Sequence, residues 1–187
     1  MSAKVKPKTY LIGIGFALMA LSCKKDPPLD PPCYEDGLPC LTTTGGGLFA
    51  CKVNGQPWIA ETPANPFGPS ALYVTFEEAQ GDLYVVGTRK NEDKEIYDNL
   101  RFWGFGISDT GYHQMEVTIE NQYGYKNHTG AECDTYYHNI NDKGFVQIVY
   151  LDQNNNIMSG YFEMTLINNS CEDSVMHISD GRFDFYY

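Results

Sequence analysis

The sequence predicts an all-β fold, an antiparallel β-sandwich or closed barrel of about 8–10 short strands. Three observations predict it. Apolar and polar residues alternate with period two from Leu48 onward, and no apolar stripe has helical spacing. Turn pairs such as Asn54-Gly55 and Asp180-Gly181 interrupt the alternation at hairpin intervals. The 187 residues include 14 Tyr, 10 Phe and 18 Gly, while Ala and Leu are scarce after residue 23, a composition of strands and turns.

A targeting segment comes first. Lys4, Lys6 and Lys8 precede an apolar run from Tyr10 to Leu21. A bilayer core needs about 20 apolar residues, so this run suits the apolar centre of a signal peptide. Ala20-Leu21-Ser22-Cys23 puts small residues at −3 and −1 before a cysteine, the pattern of a lipoprotein signal. The expectation is a signal peptide over residues 1–22, cleaved to leave an acylated Cys23. Residues 23–46 then form a Pro/Gly-rich tether. Its Asp26–Pro32 stretch has four prolines in seven residues, which favours extended polyproline geometry. Two or three acyl chains hold a protein stably at about 0.8 kcal/mol per buried methylene. The expected partner is therefore the membrane, through the N-terminal lipid, and the expected location is the outer membrane, facing the periplasm or the cell surface.

Removing 22 of the 187 residues leaves 165, and the loss of three lysines takes the net charge from −11 to −14. Such an acidic chain repels phosphate backbones, which argues against nucleic acid as a partner. Residues 47–187 make a single domain, large enough to bury a core.

Each strand has its own signal. In the stretch from Leu48 to Ala60, Phe49, Cys51 and Val53 share one face, and Asn54-Gly55 turns the chain toward Trp58. A Pro-rich loop, Thr62 to Pro69, leads to Leu72-Val74-Phe76 and then to the strand Leu83–Thr88. Asn99 to Ile107 is apolar on both faces, as in a central strand or one covered by a loop. His113, Met115, Val117 and Ile119 alternate with polar neighbours, the pattern of a half-buried antiparallel strand. Residues 121–143 are polar and turn-rich, with one short strand near Cys133–His138. Phe145–Leu151 and Ile157–Ile167 flank a polar turn as a long hairpin, with Met158, Phe162, Met164 and Leu166 inward. Val175–Ser179 and Arg182–Tyr187 flank Asp180-Gly181 as a second hairpin. Met115 and Met176 are also expected to point inward, filling irregular space.

Five cysteines remain beside Cys23, as suits an exported chain. Cys33 and Cys40 enclose six residues, so a local bridge is easy. If the last strand lies beside the first and the Asp180-Gly181 turn folds the chain back, Cys171 falls near the start of the first strand. Cys51–Cys171 is then the expected long-range bridge with Cys133 free, and Cys133–Cys171 is the alternative. Close C-x₂₋₄-C pairs are missing, so neither zinc nor any other cofactor is expected.

Catalytic signals are sparse. Asp152, Asn154, Asn156 and Glu163 match positions 1, 3, 5 and 12 of a calcium loop, but Ile157 stands where that loop needs glycine. A polar turn is the better reading. His128, Glu132, Asp134 and His138 are the densest set of metal-ligand types, and a solvated loop accounts for them. No G-x-S-x-G nucleophile motif occurs. Arg182 and Asp184 share a face of the last strand, where Arg182 is expected to pin the strand through a bidentate ion pair.

Three stretches carry a family resemblance: LPCLTTTGGGLFACKVNGQPW, SGYFEMTLINNSCEDS and ISDGRFDFYY. Phe49, Cys51, Val53, Asn54, Gly55 and Trp58 fit an F-x-C-x-V-N-G-x-x-W opening. Gly160, Phe162, Cys171, Gly181, Arg182, Phe183 and Asp184 fit the closing motifs. The chain thus resembles a family of small Bacteroidota lipoproteins with a β-rich domain of unknown function, over roughly residues 38–187. It departs from the pattern at Met164 and Cys40. The resemblance implies a location and a fold, and no reaction. It also makes Asp173-Ser174-Val175 similar to the O-glycosylation acceptor of exported proteins in that phylum, with Ser174 as the acceptor. The functional expectation is a lipid-anchored envelope domain with a binding or structural surface role, more a non-enzyme than an enzyme. The alternative is a hydrolase or other enzyme acting on envelope or extracellular glycans.

Overall fold

The computed structural model describes residues 33–61, 70–91, 96–115, 123–128, 131, 133–139, 141, 144–171 and 175–187. The expected signal peptide, Cys23, the proline run, the Thr62–Pro69 loop, Val117, Ile119, Glu132 and Ser174 lie outside the described residues. Every strand pairing is antiparallel. A two-residue pair, β1 (Tyr34–Glu35) and β2 (Leu38–Pro39), stands apart. The main sheet contains β3 (Leu48–Val53), β4 (Gln56–Ile59), β5 (Leu72–Glu77), β6 (Asp82–Asn91), β7 (Ile96–Gly104), β8 (Gly111–Gln114), β9 (Tyr123–Asn127), β10 (Thr135–His138), β11 (Phe145–Asp152), β12 (Ile157–Ile167) and β13 (Val175–Tyr186). Their order is β4-β3-β13-β12-β10-β9-β7-β6-β5, with β11 paired to β12 and β8.

The sheet curls into a half-barrel. At one end the Glu61 N–H, just past β4, donates to the Thr88 carbonyl of β6 at 3.0 Å. At the other the Phe76 ring of β5 meets Tyr187 edge-on at 4.9 Å. Between the walls lies a phenylalanine core. Phe49 stacks on Phe162 at 5.0 Å, Phe102 meets Phe162 at 5.0 Å, and Phe183 stacks on Phe185 at 5.0 Å. Burying each such ring contributes about 1.5–3 kcal/mol. The four methionines expected inward are all buried. Gly87 lets β6 approach this core, since a Cβ there would lie 2.2 Å from the Phe49 ring.

Four expectations are corrected. Asp180-Gly181 is not a hairpin turn, because β13 runs straight through it. Asp180 takes the left-handed conformation (φ 52°), and the register slips there against both β3 and β12. The pair forms a bulge, which needs the same backbone conformation as a tight turn. Last strand and first strand do pair, with Asp184 opposite Leu48.

The straight strand also overturns the Cys51–Cys171 bridge. Without a fold-back, Cys171 stays at the β10 end of the sheet and bonds Cys133, with Cα atoms 5.7 Å apart. Cys51 is a free thiol buried in the core, while Cys33–Cys40 forms the expected local bridge.

The expected tether ends early. Among the described residues, 33–46 already belong to the same compact unit as the sheet. Residues 33–46 cover the outer face of β3 and β13, and Leu38 is fully buried. Asp184, also fully buried, organises them. It accepts hydrogen bonds from the Thr42 hydroxyl, the Thr44, Gly45 and Gly46 N–H groups (3.1, 2.8 and 3.1 Å) and the Ser159 hydroxyl (2.7 Å). Burial pushes its carboxyl upward, but these bonds together hold it below the usual range. Gly45 is required there: its φ is +74°, and a Cβ would strike the Tyr186 ring at 2.5 Å. Arg182 departs from the expected bidentate ion pair. It donates to the Pro39 carbonyl at 3.2 Å, and its contact with Glu35 is long at 3.9 Å. It thus holds the β1–β2 pair by a backbone carbonyl.

Candidate functional site

Alternation along β5, β6 and β7 sends Leu83, Val85, Leu100 and Phe102 into the core. The intervening positions face outward, and Tyr73, Tyr84 and Trp103 are among them. Tyr84 and Trp103 are directly opposite in register and stack at 4.9 Å with 27° between their planes. Tyr73 on β5 meets Tyr84 edge-on at 6.1 Å and is 55% exposed. Antiparallel pairing thus lays an aromatic strip across three strands.

Arg101 is built into this strip. Its guanidinium lies 5.7 Å from the Trp103 ring centroid and donates from Nη1 to the Tyr84 hydroxyl at 3.2 Å. On the other side His138 meets Trp103 edge-on at 5.7 Å. Its Nε2–H donates to the Arg101 carbonyl at 3.2 Å. Burial pulls the His138 pKa down to about 4, against that hydrogen bond and aided by the Arg101 charge. The imidazole is therefore neutral at pH 7, and it wedges the indole in place.

Beside the strip is a groove of 340 Å³, lined by Thr75, Phe76, Glu77, Asp82, Leu83, Tyr84, Trp103 and Phe105. Its acidic members are Glu77 and Asp82, directly opposite one another at the base of the β5–β6 hairpin. Side chains so placed have Cβ atoms about 4.5–5.5 Å apart. The groove therefore offers an aromatic wall, a hydroxyl and two carboxylates to one small molecule.

The residues singled out in the sequence do not assemble into a second site. Asp152 accepts from the Asn154 and Asn155 N–H groups at 3.0 and 3.1 Å, so its carboxylate closes the β11–β12 hairpin. His128 lies against the Asn99 amide at 2.6 Å, far in role from the buried His138. Among the described residues no three His, Cys, Asp or Glu side chains come together as metal ligands. Cys51 is chemically quiet, because burial pushes its thiol up, and a thiol rather than a thiolate is a poor nucleophile. Near it Arg89 pairs with the buried Asp98 at 2.7 Å and covers Trp58 at 5.5 Å, a polar contact inside the wall.

Trp103 and Phe105 flank an open groove rather than a closed cavity. Tyr73, Tyr84, Glu77, Asp82 and Arg101 carried no signal alone. Their pattern, an aromatic at outward positions of three successive strands, emerges once the strands are set in register. Compared with protein-family models, curated proteins and solved structures, the chain matches none.

Proposed function

We propose that this protein is a lipid-anchored, non-catalytic module of the bacterial cell envelope that binds through the outer face of β5–β7, a member of the lipoprotein family its end motifs resemble. The observation that supports the binding role is the outward strip Tyr73–Tyr84–Trp103 beside its groove. Large aromatics in an exposed strip rarely serve folding and commonly serve contact. The anchor is supported by the Ala20-Leu21-Ser22-Cys23 signal.

Labelling with a fatty-acid analogue tests the anchor. Wild-type protein should carry label and Cys23→Ser should not, and label retained in that variant overturns the anchoring. Co-sedimentation of the Cys23→Ser protein, which has no lipid to carry it down, with isolated envelope material tests the face, where adding Trp103→Ala should lower the bound fraction at least fivefold. Unchanged sedimentation overturns the assignment of that face.

One observation favours the alternative glycan hydrolase. Glu77 and Asp82 face each other in the groove, and paired carboxylates about 5–10 Å apart are what glycoside hydrolysis requires. Glu77 is solvent-exposed, whereas a general acid needs a site that raises its affinity for the proton. Release of reducing ends from a polysaccharide, abolished by Glu77→Gln, would establish the enzyme instead.

A further inference from the structure

Resting on that reading of the β5–β7 face, we propose that its ligand is a neutral oligosaccharide, seated in the groove between Trp103 and the Glu77–Asp82 pair.

The lining selects this chemistry over others. A sugar ring has C–H faces that lie against an aromatic ring and hydroxyls around its edge that both donate and accept. Tyr84, Trp103 and Phe105 supply the aromatic wall. The carboxylates of Glu77 and Asp82 accept hydrogen bonds from hydroxyls, and charge-assisted bonds of this kind are about twice as strong as neutral ones. Thr75 adds a hydroxyl that donates or accepts. A purely apolar ligand would cover both carboxylates without pairing them, which is unfavourable. An anionic ligand meets two like charges in the groove and a strongly acidic chain around it. A cationic ligand suits the carboxylates but finds Trp103 already facing the Arg101 guanidinium, a like charge at 5.7 Å from the ring. A neutral polyol meets no such conflict.

The wall is also rigid before anything binds. Trp103 is held by Tyr84 on one side and by His138 on another, and Arg101 ties Tyr84 to the strip. A ring fixed in advance loses little freedom when a ligand stacks on it. The volume of 340 Å³ holds one to two sugar rings, so a longer chain would extend along the strip toward exposed Tyr73.

The test titrates the full-length protein in detergent with maltohexaose, cellohexaose and chitohexaose, following tryptophan fluorescence and heat. At least one should bind with a dissociation constant in the micromolar to millimolar range. Trp103→Ala should weaken it more than tenfold, Glu77→Gln and Asp82→Asn three- to tenfold each, and Tyr112→Ala, on the distant β8, not at all. Affinity should change less than twofold between 50 and 500 mM salt. Failure of all three sugars to bind overturns the glycan assignment. If envelope binding is nevertheless lost in Trp103→Ala, the binding face stands and its ligand is of another class. Sugar binding unchanged in Trp103→Ala overturns the groove, and a strong fall with salt overturns the uncharged stacking and hydroxyl contacts proposed there. Unlabelled Cys23 with intact sugar binding removes the anchor alone.

Discussion

The two walls of this sheet use their outward residues in opposite ways. On the β3–β13 wall both faces are covered around Asp184: phenylalanines point inward, and residues 33–46 lie over the outside. Asp184 and Arg182 spend every strong interaction they make on that covering segment and on the sheet itself. The β5–β7 wall has a packed interior, and its outward Tyr73, Tyr84 and Trp103 make their ring contacts with one another and with Arg101 and His138. The difference teaches where stability and recognition are separated. Substitutions on one wall should unfold the protein, and substitutions on the other should leave it folded and change what it holds.

The sharpest way to break that contrast is Asp184→Ala. It strands three backbone N–H groups and the hydroxyls of Thr42 and Ser159, each costing about 1–3 kcal/mol when buried without a partner. The expected loss is about 4–5 kcal/mol by urea denaturation, and residues 33–46 should become cleavable by protease. Because the folded carboxyl is held below its unfolded value, its contribution is present above about pH 4 and is lost as pH falls further. Asp184→Asn should therefore be less stable than wild type at pH 7, by a margin that shrinks as pH falls below 4.

Next in size is the Cys133–Cys171 bridge, which closes a 38-residue separation. The chain-entropy model gives it about 4 kcal/mol as an upper figure. Mapping of unreduced peptides should join these two cysteines and leave Cys51 alkylated only after denaturation. A Cys51–Cys171 peptide would contradict the straight β13.

His138 links the walls to pH. Its folded pKa of about 4 lies below the unfolded value of about 6.5. The unfolded chain therefore binds the proton first, and stability present above pH 6.5 falls as pH drops toward 4, by about 3 kcal/mol. His138→Gln should flatten denaturation midpoints between pH 7 and 4.5. An unchanged slope would show that another group carries it. The smallest effect belongs to the exposed strip: Tyr73→Ser should stay within about 0.5 kcal/mol of wild type. A loss above about 2 kcal/mol there would mean that this wall, too, serves the fold.

How much of this was legible depended on how far each residue's reason lies from it in the chain. Alternation alone placed β3, β5, β6, β11 and β12, because each strand's pattern is local. The Asn54-Gly55 turn was legible for the same reason. Asp180-Gly181 was not, because a tight turn and a bulge ask for the same positive φ, and what decides is whether neighbours on both sides continue. β10 falls where the short strand near Cys133–His138 was expected, but β9 hid in polar sequence, since it meets β7 over Asp98–Leu100 alone. The Thr42–Gly46 stretch has the composition of a linker and owes its order to Asp184. The binding strip was invisible for a related reason, being a property of three strands in register rather than of any one.

The distance between Thr42 and Asp184, 142 residues, also sets a timetable. A ribosome adding about 5–20 residues per second completes Thr42 roughly 7–30 s before it reaches Asp184. Throughout that interval the amides of Thr44, Gly45 and Gly46 lack the acceptor that orders them, and the outer face of β3 waits uncovered. A segment made early is then among the last to settle, and a chain stopped short of β13 leaves residues 33–46 loose and open to protease.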